Sequence, residues 1–506
     1  MATHRRLSRS LVVLVATVLA ALVLPAAASA AGPAGYSAAQ RATLLGYGRD
    51  AWGSFVAMTD TRTGLTADNI EEDGTRAKYT SPTNIASYIW SALAARDMGI
   101  ISAAEAQRRI AQTLATLATL ERSHGQYYNW YNPETGERLH VWPTDGSHVF
   151  GFLSTVDNGW LAAALMMVAN AVPKSRAKAN AILKGMNFAF YYNPTEGQLR
   201  GGAWTEVPSG CSVPDTRDGE AVWFTCHHYG TLNTEPRIAS YVGIAHGQLP
   251  TTHYFRMFRT FPSTCDWNWQ ETQPVGVHRT YLGVDVFEGT YEYRGMRMVP
   301  SWGGSMFEAL MVPLLVPEET WAPRSWGVNH PLYVEAQIQH GLKEAKYGYW
   351  GFSPSSDPAG GYREYGVDPI GMNPDGYSSD EERTTTDNGF DDCRMAQPQK
   401  PFGQGVVTPH ASFLSLEFAP AASLANLAKL RKNFDAYGQY GFFDAVNVSN
   451  GAVARRYLAL DEGMIVAAVG NALTADRLQS YFTAGAVTTV IKPLIAQEVF
   501  GSGSAR

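Results

Sequence analysis

Residues 81–122 read SPTNIASYIWSALAARDMGIISAAEAQRRIAQTLATLATLER, a pattern that predicts two consecutive helices. Ser81-Pro82 is a helix start signal, because proline is tolerated in the first turn, and it opens a helix over 83–98. Ser102-Ala-Ala-Glu105 has the form of a capping box and opens a second helix over 102–122. The stretch therefore predicts a pair of helices joined by a short turn.

The same apolar spacing predicts helices along most of the chain. They cover 36–58, 156–171, 173–190, 234–246, 304–315, 318–344, 410–417, 421–434, 461–472, 474–482 and 487–500. We find no convincing run of alternating strands of the βαβ type and no fixed-period repeat, and long loops rich in Trp and Tyr join the helices. We therefore predict an all-α fold, an (α/α)6 toroid, as one catalytic domain over 31–506. A helical array with an open groove is the alternative.

The N-terminus predicts an export signal. Arg5, Arg6 and Arg9 precede an apolar run over 11–24, and Ala28-Ser29-Ala30 is a small-residue cleavage site. The run is too short for a membrane span. We therefore predict a signal peptide over 1–30 and a secreted protein without a membrane span.

Composition narrows the class of partner. The chain has 40 Lys and Arg against 46 Asp and Glu, so it lacks the basic excess of a nucleic-acid binder. Its 13 Trp and 25 Tyr suit stacking on uncharged sugar faces, although a large aromatic core would give the same count. We expect a monomer whose partner is a polysaccharide or oligosaccharide.

Four cysteines, an even number in an exported chain, predict two disulfides. Cys211 and Cys226 would close a short loop and form the favoured pair, which leaves Cys265 for Cys393. The other two pairings remain open at this stage.

Three acids near predicted helix starts are candidate catalytic residues: Asp157, Glu235 and Glu308. Asp157 could instead be a helix-cap acid, Glu235 a partner of the helix dipole, and Glu308 a buried structural acid. The apolar helix that follows Glu235 would hold its carboxyl in the partly desolvated setting that a proton donor needs.

We predict no metal and no cofactor. The histidines do not show metal-ligand spacing, and no phosphate-binding loop is present. Residues 372–402 are rich in acids but match no EF-hand, so a solvated loop is favoured over a calcium site.

An ordered series of short motifs resembles the glucoamylase-like proteins that include glycoside hydrolase family 144 and the cyclising domain of cyclic β-1,2-glucan synthases. The motifs are Thr63-Gly-Leu-Thr-Ala-Asp68, Thr80-Ser-Pro-Thr-Asn-Ile85, Asn129-Trp-Tyr131, Val156-Asp-Asn158, Glu235-Pro-Arg-Ile-Ala-Ser-Tyr-Val-Gly-Ile-Ala245, Ser301-Trp-Gly-Gly-Ser-Met-Phe-Glu308, Gly366-Val-Asp-Pro-Ile-Gly371, His410-Ala-Ser-Phe-Leu414, Tyr440-Gly-Phe-Phe-Asp444-Ala-Val-Asn447 and Leu460-Asp-Glu-Gly-Met464. The resemblance implies an (α/α)6 fold and action on β-1,2-glucan with inversion of the anomeric centre.

Residues and resemblance together predict a secreted glycoside hydrolase that cleaves a β-glucan, expected to be β-1,2-glucan. Glu235 is the candidate general acid, Asp157 the candidate base and Glu308 a reserve acid. The candidate sugar-contacting residues are Trp130, Tyr131, Asn158, Trp160, Arg237, Glu292 and Trp302. A transglycosylase on the same glycan and a non-catalytic glycan-binding protein are the alternatives.

Overall fold

Helices make up 43% of this computed structural model and strands a further 20%, so the all-α prediction is wrong. The predicted (α/α)6 toroid is likewise not confirmed. The structure describes residues 35–267, 270, 272–372 and 402–505. The predicted signal peptide, most of the acidic stretch 372–402 and Cys393 lie outside the described residues.

The helices α1 to α15 follow in chain order. They are Ala38–Met58, Pro82–Asp97, Ala103–Leu117, Thr155–Ala171, Arg176–Lys184, Arg237–Ala245, Thr252–Arg256, Met306–Leu310, Glu318–Trp321, Trp326–Gln339, Pro409–Leu414, Pro420–Asn433, Ala459–Thr474, Arg477–Phe482 and Lys492–Ile495. The predicted helix 318–344 is divided between α9 and α10, and α7 was not predicted.

Serine caps begin the helices of the quoted stretch, as predicted. The Ser81 side chain accepts a hydrogen bond from the Asn84 amide at the start of α2. The Ser102 side chain accepts from the Glu105 amide at the start of α3. Each cap satisfies an amide that has no partner within its helix, and so it sets where the helix begins.

The strands β1 to β23 are short and lie mostly between helices. They are Asn69–Glu71, Arg122–Ser123, Gln126–Tyr127, Phe152–Ser154, Tyr192–Asn193, Gln198–Leu199, Gly202–Trp204, Ser212–Arg217, Glu220–Thr225, Val275–Tyr281, Val284–Tyr293, Met296–Met298, Ser301–Trp302, Ser355–Ser356, Tyr362–Arg363, Gly371–Met372, Val406–Val407, Tyr437–Gly438, Gly441–Phe442, Ala445–Asn447, Val453–Ala454, Arg456–Leu458 and Gly503–Ser504.

Two four-stranded sheets contain most of the strand residues, which the all-α prediction did not include. Their strand orders are β4-β7-β9-β8 and β10-β11-β12-β23. Strands β10 and β11 pair antiparallel around Leu282-Gly283, and both residues have positive φ. Val and Thr recur along these segments and favour extended backbone. The all-α prediction gave more weight to the helical spacing found along the rest of the chain.

The disulfide between Cys211 and Cys226 is confirmed. Its two Cα atoms are 5.8 Å apart, and it joins the outer ends of the β8–β9 hairpin. The second predicted pair includes Cys393, outside the described residues.

Six helices carry the buried centre and are neighbours in turn. Helix α4 packs between α2 and α6, α13 packs against α2 and α11, and α11 packs against α8. Arg237 of α6 donates a hydrogen bond to the Ala309 carbonyl of α8 and so joins these two helices. Nearly every residue of α2, α4 and α13 is buried, so these helices are surrounded by other elements on almost all sides.

A buried ion pair joins α6 to the segment around α8 and α9. Arg237 donates hydrogen bonds of 2.8 and 2.9 Å to the two carboxylate oxygens of Glu318. Tyr241 and His330 also hydrogen-bond to this carboxylate. Although burial alone would raise the pKa of Glu318, the Arg237 guanidinium and the His330 hydrogen bond lower it to about 2.

None of the helices in the described part of the chain combines the length and the hydrophobicity needed to span a membrane.

We expect Glu318→Gln to lower the free energy of unfolding by about 3–5 kcal/mol, because Arg237 would be left buried without a counter-ion. Denaturant unfolding at neutral pH measures this loss. Since the pKa of Glu318 is depressed, the contribution of the pair should be present above the ordinary glutamate pKa and fade as the pH falls toward 2.

The matched control is Glu292→Gln, which removes the carboxylate of a partly exposed pair with Arg297. Exposed pairs contribute about 0–1 kcal/mol, so this change should be small. Equal losses in the two variants would show that the Arg237–Glu318 pair contributes no more to the free energy of unfolding than the exposed pair does.

Candidate active site

Two cavities meet at the side chain of Glu235. The first has a volume of about 610 Å³ and is lined by Asp68, Asn84, Trp130, Asp157 and neighbouring residues. The second has a volume of about 660 Å³ and is lined by His228, Tyr229, Trp302, Glu308 and neighbouring residues. Glu235 belongs to both linings, so the two cavities adjoin at this residue, and together they are called the cleft.

Glu235 lies just before the first turn of α6 and is held on two sides. Its Oε2 accepts a hydrogen bond of 2.7 Å from the indole nitrogen of Trp160 on α4. Its backbone amide donates a hydrogen bond of 2.9 Å to Glu308 on α8. The carboxyl group is thus fixed between three helices rather than left on a mobile loop.

Glu308 contacts the segment that carries Glu235. Its Oε2 accepts from the Thr234 hydroxyl as well as from the Glu235 amide. Glu308 lies in the first turn of α8, where the Ser305 side chain caps the helix by accepting from the Glu308 amide. Glu308 therefore orients the Thr234–Glu235 segment.

Burial favours the protonated forms of both acids. Burial, and next the charge of Glu308, raises the pKa of Glu235 well above its usual range, although the Trp160 hydrogen bond opposes the shift. Burial likewise raises the pKa of Glu308 to about 7, against the hydrogen bonds from Thr234 and the Glu235 amide. An acid that remains protonated near neutral pH can donate a proton.

Asp157 lies in the first turn of α4 and lines the first cavity. The Thr83 hydroxyl at the start of α2 donates a 2.6 Å hydrogen bond to its Oδ1. Asp68 lies near it and accepts hydrogen bonds from Asn69 and Asn84. Burial, together with the charge of Asp157, raises the pKa of Asp68.

A second pair of acids, Asp444 and Asp461, was not singled out from the sequence. Both are buried, and burial raises the pKa of Asp461 to about 7. Asp444 accepts a 2.7 Å hydrogen bond from the amide of Ser356, a residue of the first cavity. Their motifs carried the family resemblance, but two acids 17 positions apart give no spacing signal.

His410 completes this cluster, and its side chain lies with Asp444 and Asp461 so that their possible ligand atoms are within 4.8 Å of one another. Such a group could hold a cation, whereas the sequence predicts no metal. His410 also hydrogen-bonds to the Thr408 and Ser353 hydroxyls. These partners give the histidine a structural role without a metal, and the absence of a metal stays a prediction.

Aromatic rings line both cavities. Trp130 belongs to the first, where it packs against Trp142 with ring centres 5.1 Å apart. Trp302 belongs to the second, which also holds Trp267 stacked on Phe261 at 4.4 Å. Each half of the cleft thus has apolar rings of the kind on which sugars stack.

Four of the predicted sugar-contacting residues are buried instead. They are Tyr131, Asn158, Trp160 and Arg237, and none is more than 1% exposed. Asn158 and Tyr131 satisfy backbone groups of the loop over 121–131, and Arg237 pairs with Glu318. Asn158 and Trp160 lie on α4, which is buried along almost its whole length, so proximity in sequence to Asp157 does not bring their side chains into the cleft.

Glu292, another predicted sugar-contacting residue, lies away from both cavities. It is exposed on β11, pairs with Arg297 and lines neither cavity. Of the predicted residues, Trp130, Asp157, Glu235, Trp302 and Glu308 lie on the cleft.

Comparison with known families identifies the chain's relatives. Residues 272–485 match the family described as putative glucoamylase. The predicted resemblance is confirmed. Residues 46–222 match a second family, described as a protein of unknown function (DUF3131). The two matched segments together contain Asp157, Glu308 and Asp461.

A curated relative of this chain is the cyclic β-(1,2)-glucan synthase NdvB of Rhizobium meliloti (strain 1021), which is 25% identical. The match takes in 89% of this chain and 18% of the relative, so the chain spans less than a fifth of that protein's length.

Solved structures share the fold. A putative glucoamylase from Bacteroides fragilis NCTC 9343 has a TM-score of 0.62 at 18% identity, covering 91% of this chain and 98% of that one. An endo-β-1,2-glucanase from Chitinophaga pinensis, complexed with sophorotriose and glucose, has a TM-score of 0.60 at 16% identity, covering 90% and 98%. An endo-β-1,2-glucanase from Talaromyces funiculosus with β-1,2-glucan has a TM-score of 0.61 at 13% identity, covering 92% and 91%.

We expect Glu308→Gln to change how stability depends on pH. Because the folded-state pKa of Glu308 is raised to about 7, its favourable contribution is complete below the ordinary glutamate pKa and is lost as the pH rises through 7. Glutamine does not ionise, so the melting temperature of the variant should fall less between pH 5 and pH 8 than that of the unaltered chain.

Differential scanning calorimetry between pH 5 and pH 8 measures the melting temperatures. The control is Glu137→Gln, which makes the same chemical change at an exposed position. Parallel curves for the unaltered chain and Glu308→Gln would contradict the assigned shift.

Proposed function

We propose that this chain is a glycoside hydrolase in which Glu235 is the general acid. The observation that carries the proposal is that Glu235 lies where the two cavities meet. The pKa of its carboxyl group is raised by burial and by the charge of Glu308. A general acid must be protonated at working pH and must reach the glycosidic oxygen between two sugar units. The family match and the shared fold support the enzyme class.

The proposed substrate is a β-1,2-glucan, cleaved within the chain. Support comes from the endo-β-1,2-glucanases among the solved structures and from the β-1,2-glucan synthase among the relatives. Cavities on both sides of Glu235, each with a tryptophan, suit a polymer that extends beyond the reacting bond in both directions. Trp130 and Trp302 are the proposed stacking residues.

We propose an inverting mechanism with Asp157 as the base that activates water. Asp157 shares the first cavity with Glu235, and the Thr83 hydroxyl orients its carboxylate. In an inverting enzyme the acid and base carboxyls stand about 6.5–9.5 Å apart, which leaves room for a water molecule. Asp461 is the alternative base, because it follows Leu460 in the wall of the same cavity and is buried beside Asp444.

Secretion and a monomeric state belong to the same proposal. The basic and apolar N-terminal residues support export, and the Cys211–Cys226 disulfide is of the kind that persists outside the cytoplasm.

We expect Glu235→Gln to reduce the cleavage of β-1,2-glucan by at least about 10²-fold, because general acid catalysis contributes on the order of 10²–10⁴-fold. The amide keeps the shape of the side chain and an acceptor for Trp160, so glucan binding should persist. Reducing-end release and calorimetric binding measure the two quantities. Near-normal turnover in a folded Glu235→Gln protein would remove the acid role.

Asp157→Asn and Asp461→Asn, assayed in parallel, distinguish the two candidate bases. The proposal requires the larger loss of turnover for Asp157→Asn. A larger loss for Asp461→Asn would transfer the base role to the Asp444–Asp461 pair.

Inversion predicts that the first sugar released carries a new α-anomeric reducing end. Proton NMR of the anomeric signals during the first minutes of reaction, before mutarotation, measures this. A β-anomeric first product would mean retention, and products longer than the substrate would indicate a transglycosylase instead of a hydrolase.

A further inference from the structure

Trp160 directs its only polar atom at the candidate acid rather than at a ligand. Its indole nitrogen lies 2.7 Å from Oε2 of Glu235, and its ring is 1% exposed. A ring buried this deeply cannot stack on a sugar. Any effect of Trp160 on a reaction in the cleft must therefore pass through Glu235.

The chemistry of indole restricts where the Glu235 proton can be. An indole N–H is a donor and has no acceptor site, so the oxygen that it contacts must accept. In a protonated carboxyl group the carbonyl oxygen is the stronger acceptor, so this bond favours the form in which Oε2 is the carbonyl oxygen. The hydrogen is then on Oε1.

We propose that Trp160 is a positioning residue that keeps the transferable proton of Glu235 on Oε1. The proposal deepens the proposed function and rests on it, because it concerns which atom of the general acid delivers the proton.

The indole is fixed from behind. Trp160 packs edge-on against Trp90 of α2, with ring centres 5.7 Å apart. The Trp90 indole in turn donates a 3.0 Å hydrogen bond to the Gly463 carbonyl of α13. The Trp160 ring is thus held by its contact with the Trp90 ring, whereas the Trp90 N–H points away to α13.

The distance from α4 to α6 is fixed as well. A Cβ atom added to Gly159 would lie 2.7 Å from the Cβ of Ala239 and 3.1 Å from its backbone nitrogen. The two helices are therefore in backbone contact one residue before Trp160, and the carboxyl of Glu235 is brought within reach of the indole by this close packing.

The other titratable groups that face Glu235 act in the opposite sense to Trp160. Glu308 on α8 and Asp157 on α4 are acids whose charges favour the protonated form, and the partly buried Tyr229 lies on the side of the second cavity. The Trp160 hydrogen bond favours the carboxylate and partly offsets them. Without this donor the pKa of Glu235 should rise further.

The test is Trp160→Phe, which keeps a ring against Trp90 and removes the N–H. We expect kcat on β-1,2-glucan to fall roughly tenfold with KM nearly unchanged, because the proton is no longer held on one oxygen. The alkaline limb of the kcat/KM profile should move up by roughly one pH unit, since a hydrogen bond to the charged form is lost.

The matched control is Trp90→Phe. It removes an indole N–H from the same buried ring pair, but that N–H serves the Gly463 carbonyl and not Glu235. It should lower the melting temperature by a similar amount and leave the alkaline limb in place. An unmoved limb in folded Trp160→Phe, or an equal movement in both variants, would overturn the proposal.

A measurement on the unaltered chain does not depend on either variant folding. Among the indole N–H signals of the 13 tryptophans, one should titrate with the pKa of the alkaline limb and lose that titration in Glu235→Gln. Nitrogen-15 NMR observes these signals directly. If no indole titrates while Glu235→Gln abolishes cleavage, the positioning role fails and the acid role stands. If Glu235→Gln stays active, both fail.

Discussion

The buried pair of Arg237 and Glu318 is the interaction on which the cleft depends. Arg237 is the first residue of α6, and neither side chain of the pair is exposed to solvent. The same guanidinium donates to the carbonyl oxygens of Thr234 and Ala309, at 2.9 Å each. The backbone on both sides of Glu235 is thereby joined to α8, and a charge that would be costly to bury alone becomes the anchor of the site.

Once that anchor is in place, helix starts bring acids together. Asp157, Glu235, Glu308 and Asp461 each lie at or next to the first turn of a helix, where free amides and the helix dipole favour negative charge. Burial and mutual repulsion act against ionisation and leave several of these acids with raised pKa values. A protonated acid near an ionised one is the combination that acid–base cleavage requires.

The sequence predictions were correct where residues close to one another in the sequence determine the structure. Ser81 and Ser102 begin helices where predicted, and Cys211 pairs with Cys226. The strands were missed because a hairpin such as β10–β11 is stabilised by hydrogen bonds between its strands, and apolar spacing along one segment does not reveal this pairing. The long predicted helix over 318–344 also failed, since Pro323 interrupts it between α9 and α10.

The sequence by itself determined the serine caps, the apolar helices, the first disulfide, the family resemblance and the acids Asp157, Glu235 and Glu308 as candidates. Only the tertiary structure decided that Glu235 stands between two cavities, that Trp160 and Arg237 face the interior, and that Asp444 and Asp461 form a pair. The physical reason is that caps and periodicity are set within a few residues. Burial and its pKa shifts arise from partners more than 70 positions apart, such as Trp160 and Glu235.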